Sequence, residues 1–407
     1  MEDVQVPPYF LCPISLEIMK DPVTISTGIT YDRQSIERWM LSTKKTTTCP
    51  VTQQPLPHDD LVIIPNVTLG RLIRSWCAIN APRGVERVPT PKPPASASQI
   101  SRLLREASST REMQAKCVQD LRRMASQCET NKRLMESAGG PEFLAAVVKS
   151  NARDGTSSDD PACHALCLLK ELRLSEAGLK SILGRDTQFV DALIRAMQRG
   201  SYESRANAVK LLESMLEFAD PLQITSLNLS FFRELVLVLR EDSSSKSALR
   251  VLASVCRKGR NRIKAAEAGA VAALIDLLLD STEKRSCESA LVVLDQLCQC
   301  PEGRAELLKH AAGLAVVSKK ILRVSEAATE RGVRILHSVS RFSASRSVAQ
   351  EMLQMGVGAK LCMVIQVECG SKTRERAAEI LKLHAKDWKN SHQCIPLLSL
   401  IYPTHGS

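Results

Sequence analysis

Fourteen cysteines and seven histidines are the side chains of this 407-residue chain best suited to metal or nucleophilic chemistry. Cys12 and Cys49 each open a pair of positions three apart, Cys12 with Ser15 and Cys49 with Thr52, and Asp32 with Ser35 makes a third. Thr27 and Ile29 form a looser fourth pair. The spacing is that of paired zinc ligands. Structural zinc, however, is closed by thiolates and imidazoles. Ser, Thr and Ile would not complete two such sites even if Asp32 ligated, so neither metal nor other cofactor is expected. A cysteine nucleophile needs a base to activate it. Near Cys12, Cys49 and Cys77 the only candidate in sequence is His58, and all three read as buried thiols rather than catalytic groups. Cys163, Cys167, Cys256, Cys287, Cys298 and Cys300 lack a second Cys/His pair at ligand spacing and fit the core faces of helices.

The skeleton of the first 80 residues is that of a two-zinc RING domain with six of its eight ligands missing. It resembles the U-box, the zinc-free relative of the RING in ubiquitin ligases. The resemblance rests on CPISLEIMKDPV (Cys12 to Val23), GITYDRQSIERW (Gly28 to Trp39), CPVT (Cys49 to Thr52) and Ile63-Ile64-Pro65-Asn66. The opening VPPYFLCPISLEIMKDPV looks like the plant U-box ligases that carry armadillo repeats behind the U-box. Structural zinc contributes on the order of 10 kcal/mol to small folds, so hydrogen bonds and ion pairs must replace it. Ser15, Asp21, Asp32, Arg33, Ser35 and Thr52 are the candidates for that network. Asp21-Pro22 and Gly28 mark turns between two short strands. Ser35 to Met40 predicts a helix with Ile36, Trp39 and Met40 on one face.

The resemblance implies a ligase without a covalent intermediate. It holds a ubiquitin-conjugating enzyme, which carries ubiquitin as a thioester, near a substrate lysine, so catalysis is proximity and orientation. The implied conjugating-enzyme groove consists of Ile14 and Leu16 in a first loop, Trp39 on the helix and Pro50 in a second loop, with Val51 as a neighbour. Many U-boxes and RINGs place an Arg just past the second loop to bridge the conjugating enzyme and ubiquitin. Gln53 stands there, with Gln54 beside it. An amide lacks the charge and the fork of Arg. The resemblance also implies a role in defence or abiotic-stress signalling.

Elsewhere the chain is read for organisation. No secretory signal opens it, and no apolar run approaches the ~20 residues that span a bilayer, so a reduced cytosolic or nuclear setting without integral membrane association is expected. Residues 1–80 carry 7 Lys+Arg and 8 Asp+Glu, the remainder 48 and 36. The basic excess therefore belongs to the rear. Residues 81–98 hold five prolines and read as an extended, unpacked linker. From Gln99 the pattern is helical, with glycines at 139, 184, 269, 313 and 356. Their gaps of 45, 85, 44 and 43 give a unit of about 43 residues with one corner missing near Leu227. A helical repeat of that length predicts an armadillo or HEAT solenoid over 99–389, with 390–407 as a tail whose Ile395–Tyr402 run could cap the last helices.

The fold class is thus mainly α, a small zinc-free RING-like α+β U-box followed by an armadillo-type solenoid. The second helix of each unit puts Asn207, Lys210, Arg250, Arg331, Arg334, Arg374 and Arg376 on a candidate substrate groove. The cluster from Arg257 to Lys264, five charges in eight residues, could meet nucleic acid, an acidic lipid surface or an acidic protein. With seven Phe, four Tyr and three Trp, platforms for stacking bases are few, and nucleic acid is not expected. A solvated corner between helices is the reading adopted for that cluster. The expected partners are a conjugating enzyme carrying ubiquitin and a protein substrate on the repeats, with a homo-oligomer left open. The competing class is a non-catalytic scaffold with a degenerate U-box, which Gln53 favours and Ile14, Trp39 and Pro50 oppose.

Overall fold

The computed structural model describes residues 5–42, 48–56, 63–88, 96–107, 110–151, 160–184, 188–241, 245–367 and 369–388. Met1–Phe143 and Leu144–Ser407 form two compact units.

The first unit opens with a 3-10 turn at Pro8–Phe10, then β1 (Pro22–Thr24), β2 (Thr30–Asp32), α1 (Arg33–Ser42), β3 (Ile64–Pro65) and α2 (Val67–Asn80). β1 lies between the other two strands and pairs antiparallel with both, placing Val23 opposite Tyr31 on one side and Pro65 on the other. Gly28 makes the reversal between β1 and β2 at φ 79°, a conformation open to a residue without Cβ. The third strand was not anticipated, because two residues carry no period. Asn66 explains its position. Its amide nitrogen donates to Pro22 O at 2.8 Å, its Oδ1 caps Leu69 N at 3.1 Å, and its Nδ2 reaches the Thr24 and Thr30 hydroxyls. One side chain thereby ties α2 to both β1 and β2.

Phe10, Met19, Val23, Ile25, Tyr31, Ile36, Leu56 and Ile73 fill the small core together with Cys12, Cys49 and Cys77. Val85 and Val88 pack against the same core. The stretch after α2 is therefore not the unpacked linker expected from residue 81. Partly burying two valines recovers less than the ~1.5 kcal/mol of a fully buried side chain for each, which still favours folding the chain back. Residues 89–95 of the expected linker lie outside the described residues. The unit continues with α3 (Ala97–Glu106), α4 (Arg111–Ala125) and α5 (Glu129–Ser137), which pack on one another.

The second unit takes up α6 (Gly140–Asn151, whose first residues belong to the first unit) and α7 (Pro161–Leu172), then five triplets of helices. They are α8 (Glu176–Leu183), α9 (Gln188–Arg199) and α10 (Tyr202–Leu216); α11 (Pro221–Thr225), α12 (Leu229–Leu239) and α13 (Ser245–Val255); α14 (Gly259–Glu267), α15 (Ala270–Asp280) and α16 (Lys284–Leu297); α17 (Pro301–Lys309), α18 (Gly313–Lys320) and α19 (Glu326–Phe342); and α20 (Arg346–Gln354), α21 (Val357–Gln366) and α22 (Ser371–Leu383). A short α23 (Ala385–Trp388) closes the described chain. The third helices stack in order, α7 on α10, α13, α16, α19 and α22. Ser175, Ser201, Asn228, Ser325 and Ser345 start their helices by accepting an amide hydrogen bond three residues on.

The periodic glycines fall at the corner between the first and second helices of a triplet, but for two different reasons. Gly269 takes a left-handed φ of 85°. Gly313 does not; a Cβ there would lie 2.1 Å from Leu307 O, so close packing excludes a side chain. At the corner that lacks glycine, Leu227 is buried and Asn228 caps α12. A second device recurs at three of the junctions. Asn131, Asn261 and Arg304 reach back to carbonyls at the end of the preceding helix, Met124 O, Val255 O and Cys298 O respectively.

The far end of the stack is closed by Trp388, which is fully buried. Its ring stacks on His384 at 4.9 Å and its Nε1 donates to Ala349 O at 3.0 Å. The Ile395–Tyr402 run expected to cap this end lies outside the described residues. Trp388→Ala should destabilise the solenoid by about 3–5 kcal/mol, the usual range for emptying a buried aromatic site. Denaturant unfolding followed by circular dichroism measures it. A loss below about 1 kcal/mol would mean the stack does not depend on this closure.

Candidate functional site

Two loops of the first unit share one backbone geometry. In the first, Leu16 N donates to Cys12 O at 2.8 Å and Cys12 N to Glu17 O at 2.9 Å. In the second, Gln53 N donates to Cys49 O at 2.9 Å and Cys49 N to Gln54 O at 2.8 Å. Leu16 and Gln53 both sit at φ 58°, a left-handed conformation that costs a side-chain-bearing residue about 1 kcal/mol. Short antiparallel bridges, Leu11 with Ile18 and Thr48 with Pro55, close the two bases. The two loops thus repeat one knuckle, each closed around its cysteine.

The two sulfurs hold them. Cys49 is completely buried, and its Sγ lies 3.1 Å from the Tyr31 hydroxyl, 3.4 Å from Thr27 Oγ1 and 3.5 Å from Thr52 N. Burial pushes this thiol up, but the hydrogen bonds from Thr27, Thr52 and Tyr31 outweigh it and bring the pKa down to about 6. The Tyr31 phenol moves the other way, raised by burial and by the sulfur beside it. Cys12 follows the same pattern. Burial raises it, but backbone hydrogen bonds from Ser15, Asp32 and Ile14 and the Ser15 side chain lower it on balance. Asp32 N lies 3.3 Å from its sulfur. Cys77 has no such donor set, and burial pushes its thiol up.

β2 is the common support. Tyr31 reaches the second loop through Cys49, and the next residue, Asp32, reaches the first through Cys12. Asp32 Oδ1 also accepts from Lys20 N at 2.8 Å and Asp21 N at 3.0 Å. Arg33 Nε pairs with Asp21 Oδ2 at 2.6 Å, and Arg33 N donates to Asp21 O at 2.9 Å. Of the six residues expected to form a network, Ser15, Asp21, Asp32, Arg33 and Thr52 lie around these sulfurs and turns. The Ser35 side chain has no hydrogen bond among the described residues.

On this frame Leu16 is 74% exposed and Val51 51%, both unusual for large apolar side chains. Ile14 and Pro50 are half-buried. Trp39 packs its ring against the core and donates from Nε1 to Thr48 O at 2.9 Å, linking α1 to the second loop. Gln53 is exposed and folds its amide back to Pro50 O at 3.3 Å. α2 carries a further exposed set, Val67, Leu72 and Ile79, which the sequence reading did not single out.

The solenoid residues behave differently from a free groove. Asn207 is buried, and its Nδ2 has no hydrogen-bond partner among the described residues. Arg250 pairs with Glu213 of the preceding third helix. Arg331 and Arg334 both pair with Asp295 at 3.0 Å, across from α19 to α16. Burial pushes the Asp295 carboxyl up even though Arg334 and Arg331 pull it down. Much of the cationic charge on this face is therefore spent between repeats. Lys210 and Arg374 are exposed and Arg376 half-buried. In the basic cluster, Arg262 donates to Cys256 O and Arg257 O, and Lys264 to Thr225 O and Leu227 O; Arg257 and Arg260 stay exposed. Among the described residues no group of three or more His, Cys, Asp and Glu could hold a metal, and no helix is long and apolar enough to cross a membrane.

Residues 6–81 match the model of the U-box domain, and residues 99–404 that of the plant U-box protein ARM repeat region. The chain is 51% identical to E3 ubiquitin-protein ligase PUB23 of Arabidopsis thaliana, covering 99% of this chain and 98% of that one. It is 50% identical to E3 ubiquitin-protein ligase PUB22 of the same plant, over 97% and 98%. U-box domain-containing protein 75 of Oryza sativa subsp. japonica is 31% identical, over 94% and 82%. Among solved structures, an engineered protein matches with a TM-score of 0.51 at 18% identity, over 84% of this chain and 82% of that chain. A chain from a study of cadherin and beta-catenin matches with 0.59 at 17% identity, over 83% and 62%. These last two bear on the fold alone. The chain belongs to the plant U-box proteins with armadillo repeats.

The sulfur sites carry a pH dependence whose sign is fixed. Cys49 is held below its unfolded value, so its contribution is complete above about pH 8.5–9 and is lost as pH falls through about 6. Cys12 acts in the same direction. Cys77, raised by burial, opposes only at higher pH. Melting monitored by Trp39 and Trp76 fluorescence should therefore shift to lower temperature between pH 8.5 and 6. Cys49→Ser should remove most of that slope. A wild-type slope matched by Cys49→Ser would mean that the buried sulfur stays a neutral thiol.

Proposed function

We propose that this chain is a ubiquitin ligase whose U-box recruits a ubiquitin-conjugating enzyme and whose armadillo repeats hold a protein substrate. The observation that carries the reading is the pair of matched knuckles, held by Cys12 and Cys49, that turn Leu16 and Val51 outward beside Ile14, Trp39 and Pro50. A shallow apolar surface on a rigid frame suits docking rather than bond-making. No nucleophile is needed, because the thioester belongs to the conjugating enzyme, and orientation supplies the rate. The named activity of PUB22 and PUB23 supports the same reading. Substrate recognition is assigned to the third-helix face of the solenoid, through Lys210 and Arg374 and the edges of the Arg250 and Arg334 ion pairs. A role in defence or stress signalling in the cytosol or nucleus extends the family resemblance to this chain.

The test is self-ubiquitination with activating enzyme, conjugating enzyme, ubiquitin and ATP. Truncating a hot-spot side chain costs about 2 kcal/mol or more, about thirtyfold in affinity. Ile14→Ala and Leu16→Ala should abolish self-ubiquitination with an unchanged melting curve, and Trp39→Ala should do the same if its lost bond to Thr48 O leaves the domain folded. Folded Ile14→Ala and Leu16→Ala variants with full activity would remove the groove assignment. A wild-type protein that binds no conjugating enzyme would favour the scaffold alternative.

Gln53 is the observation in favour of that alternative. Its side chain is turned to Pro50 O and can offer only neutral hydrogen bonds, roughly half as strong as those of an Arg. Its left-handed backbone strains Arg no more than Gln. Gln53→Arg should speed single-turnover discharge onto free lysine severalfold while affinity for the uncharged conjugating enzyme stays level. An unchanged or slower discharge would assign the bridge to another residue.

A further inference from the structure

Glu37 is a buried carboxylate that the groove does not use. It lies on α1 at 6% exposure. Trp39 lies two positions further along the helix, about 200° of rotation, so the two side chains leave opposite sides of α1. A buried carboxylate left unpaired would be strongly unfavourable. Its partners lie 92 and 93 residues away. Oε2 accepts from Glu129 N at 3.1 Å, and Oε1 accepts from the Thr130 hydroxyl at 3.1 Å.

These contacts fall at the first turn of α5. The residue before that helix, Cys128, gives it no side-chain cap. The first amides of a helix have no acceptor inside it and carry the positive end of its dipole. Glu37 supplies both the acceptor and the negative charge from a different part of the chain. Cys128 feels both Glu37 and Arg33 electrostatically, which places the start of α5 against the same stretch of α1. α5 is itself bound into a cluster with α3 and α4, and Asn131 closes it onto Met124 O at 2.9 Å.

We infer that Glu37 is a positioning residue that fastens α3–α5 to the back of the helix bearing Trp39, so that the ligase module extends to the end of α5. The consequence concerns reach. A free linker would let the groove explore a volume set by linker length. With α5 capped by Glu37, the bearing of the groove on the first helices is set by two hydrogen bonds to a charged acceptor. Because the cap meets the side of α1 away from Trp39, it holds the module without covering that tryptophan.

The experiment uses the full chain and has two arms. Hydrogen exchange at the Glu129 amide reads the cap directly, because that amide has no acceptor within α5. Exchange should quicken at least tenfold in Glu37→Ala and less in Glu37→Gln, while the amides of Tyr31 and Ile36 keep their protection. Thr130→Val, which leaves the U-box sequence untouched, should also quicken it. The second arm rests on the ligase reading. Ten Gly/Ser residues inserted after Thr90 should leave the map of self-ubiquitinated lysines unchanged in the wild-type background and redistribute it in Glu37→Ala. Glu129 exchanging at the free-peptide rate in the wild type, or a lysine map that follows linker length equally in both backgrounds, would overturn the inference. Absence of self-ubiquitination would count against the ligase reading and leave the exchange arm to decide on the cap.

Discussion

The front of the molecule depends on two buried sulfurs that accept hydrogen bonds where a RING has metal. A small domain that keeps cysteine at two of eight zinc-ligand positions must replace a large, localised contribution with several weak ones. Here the replacement is concentrated. Tyr31 and Asp32, neighbours on one three-residue strand, each reach a different knuckle through its cysteine. The strained Leu16 and Gln53 backbones persist because the loop hydrogen bonds on either side over-determine them. The exposed positions of Leu16 and Val51 follow from that constraint.

The solenoid solves a different problem. Each helix triplet has too little core of its own, and the stacked third helices supply a continuous one. Polar contacts between repeats are placed where the stack would otherwise bury charge alone. Asp295 is the clearest case, almost wholly buried and held by two arginines of the next third helix. Such a carboxylate fixes the orientation of two cations that a surface view would assign to ligand binding. This face is then a patterned, partly neutralised surface rather than a uniformly basic one.

How much was legible in the sequence follows the range of the interactions. The pairs three apart, the α1 helix and the 43-residue glycine period are local patterns, and each corresponds to an element of the structure. The period did not distinguish Gly269, which needs a left-handed φ, from Gly313, which has no room for a Cβ, because both reasons leave the same letter. The packing of Val85 and Val88 was hidden by the prolines around them. The contact of Glu37 with Glu129 and Thr130, and of Arg250 with Glu213, could not be read, since no period connects residues so far apart. The side chains proposed for the groove were reached only through the family resemblance; periodicity alone would have put Ile14 and Trp39 in the core, against which both are partly packed.

The central claim is that hydrogen bonds to Cys12 and Cys49 do the work that zinc does in a RING. Elemental analysis of the purified full chain, paired with melting curves in the presence and absence of a strong chelator, tests it most directly. The account predicts metal well below one equivalent per chain and superimposable melting curves. One tightly held zinc per chain, or a U-box transition that collapses on chelation, would contradict it.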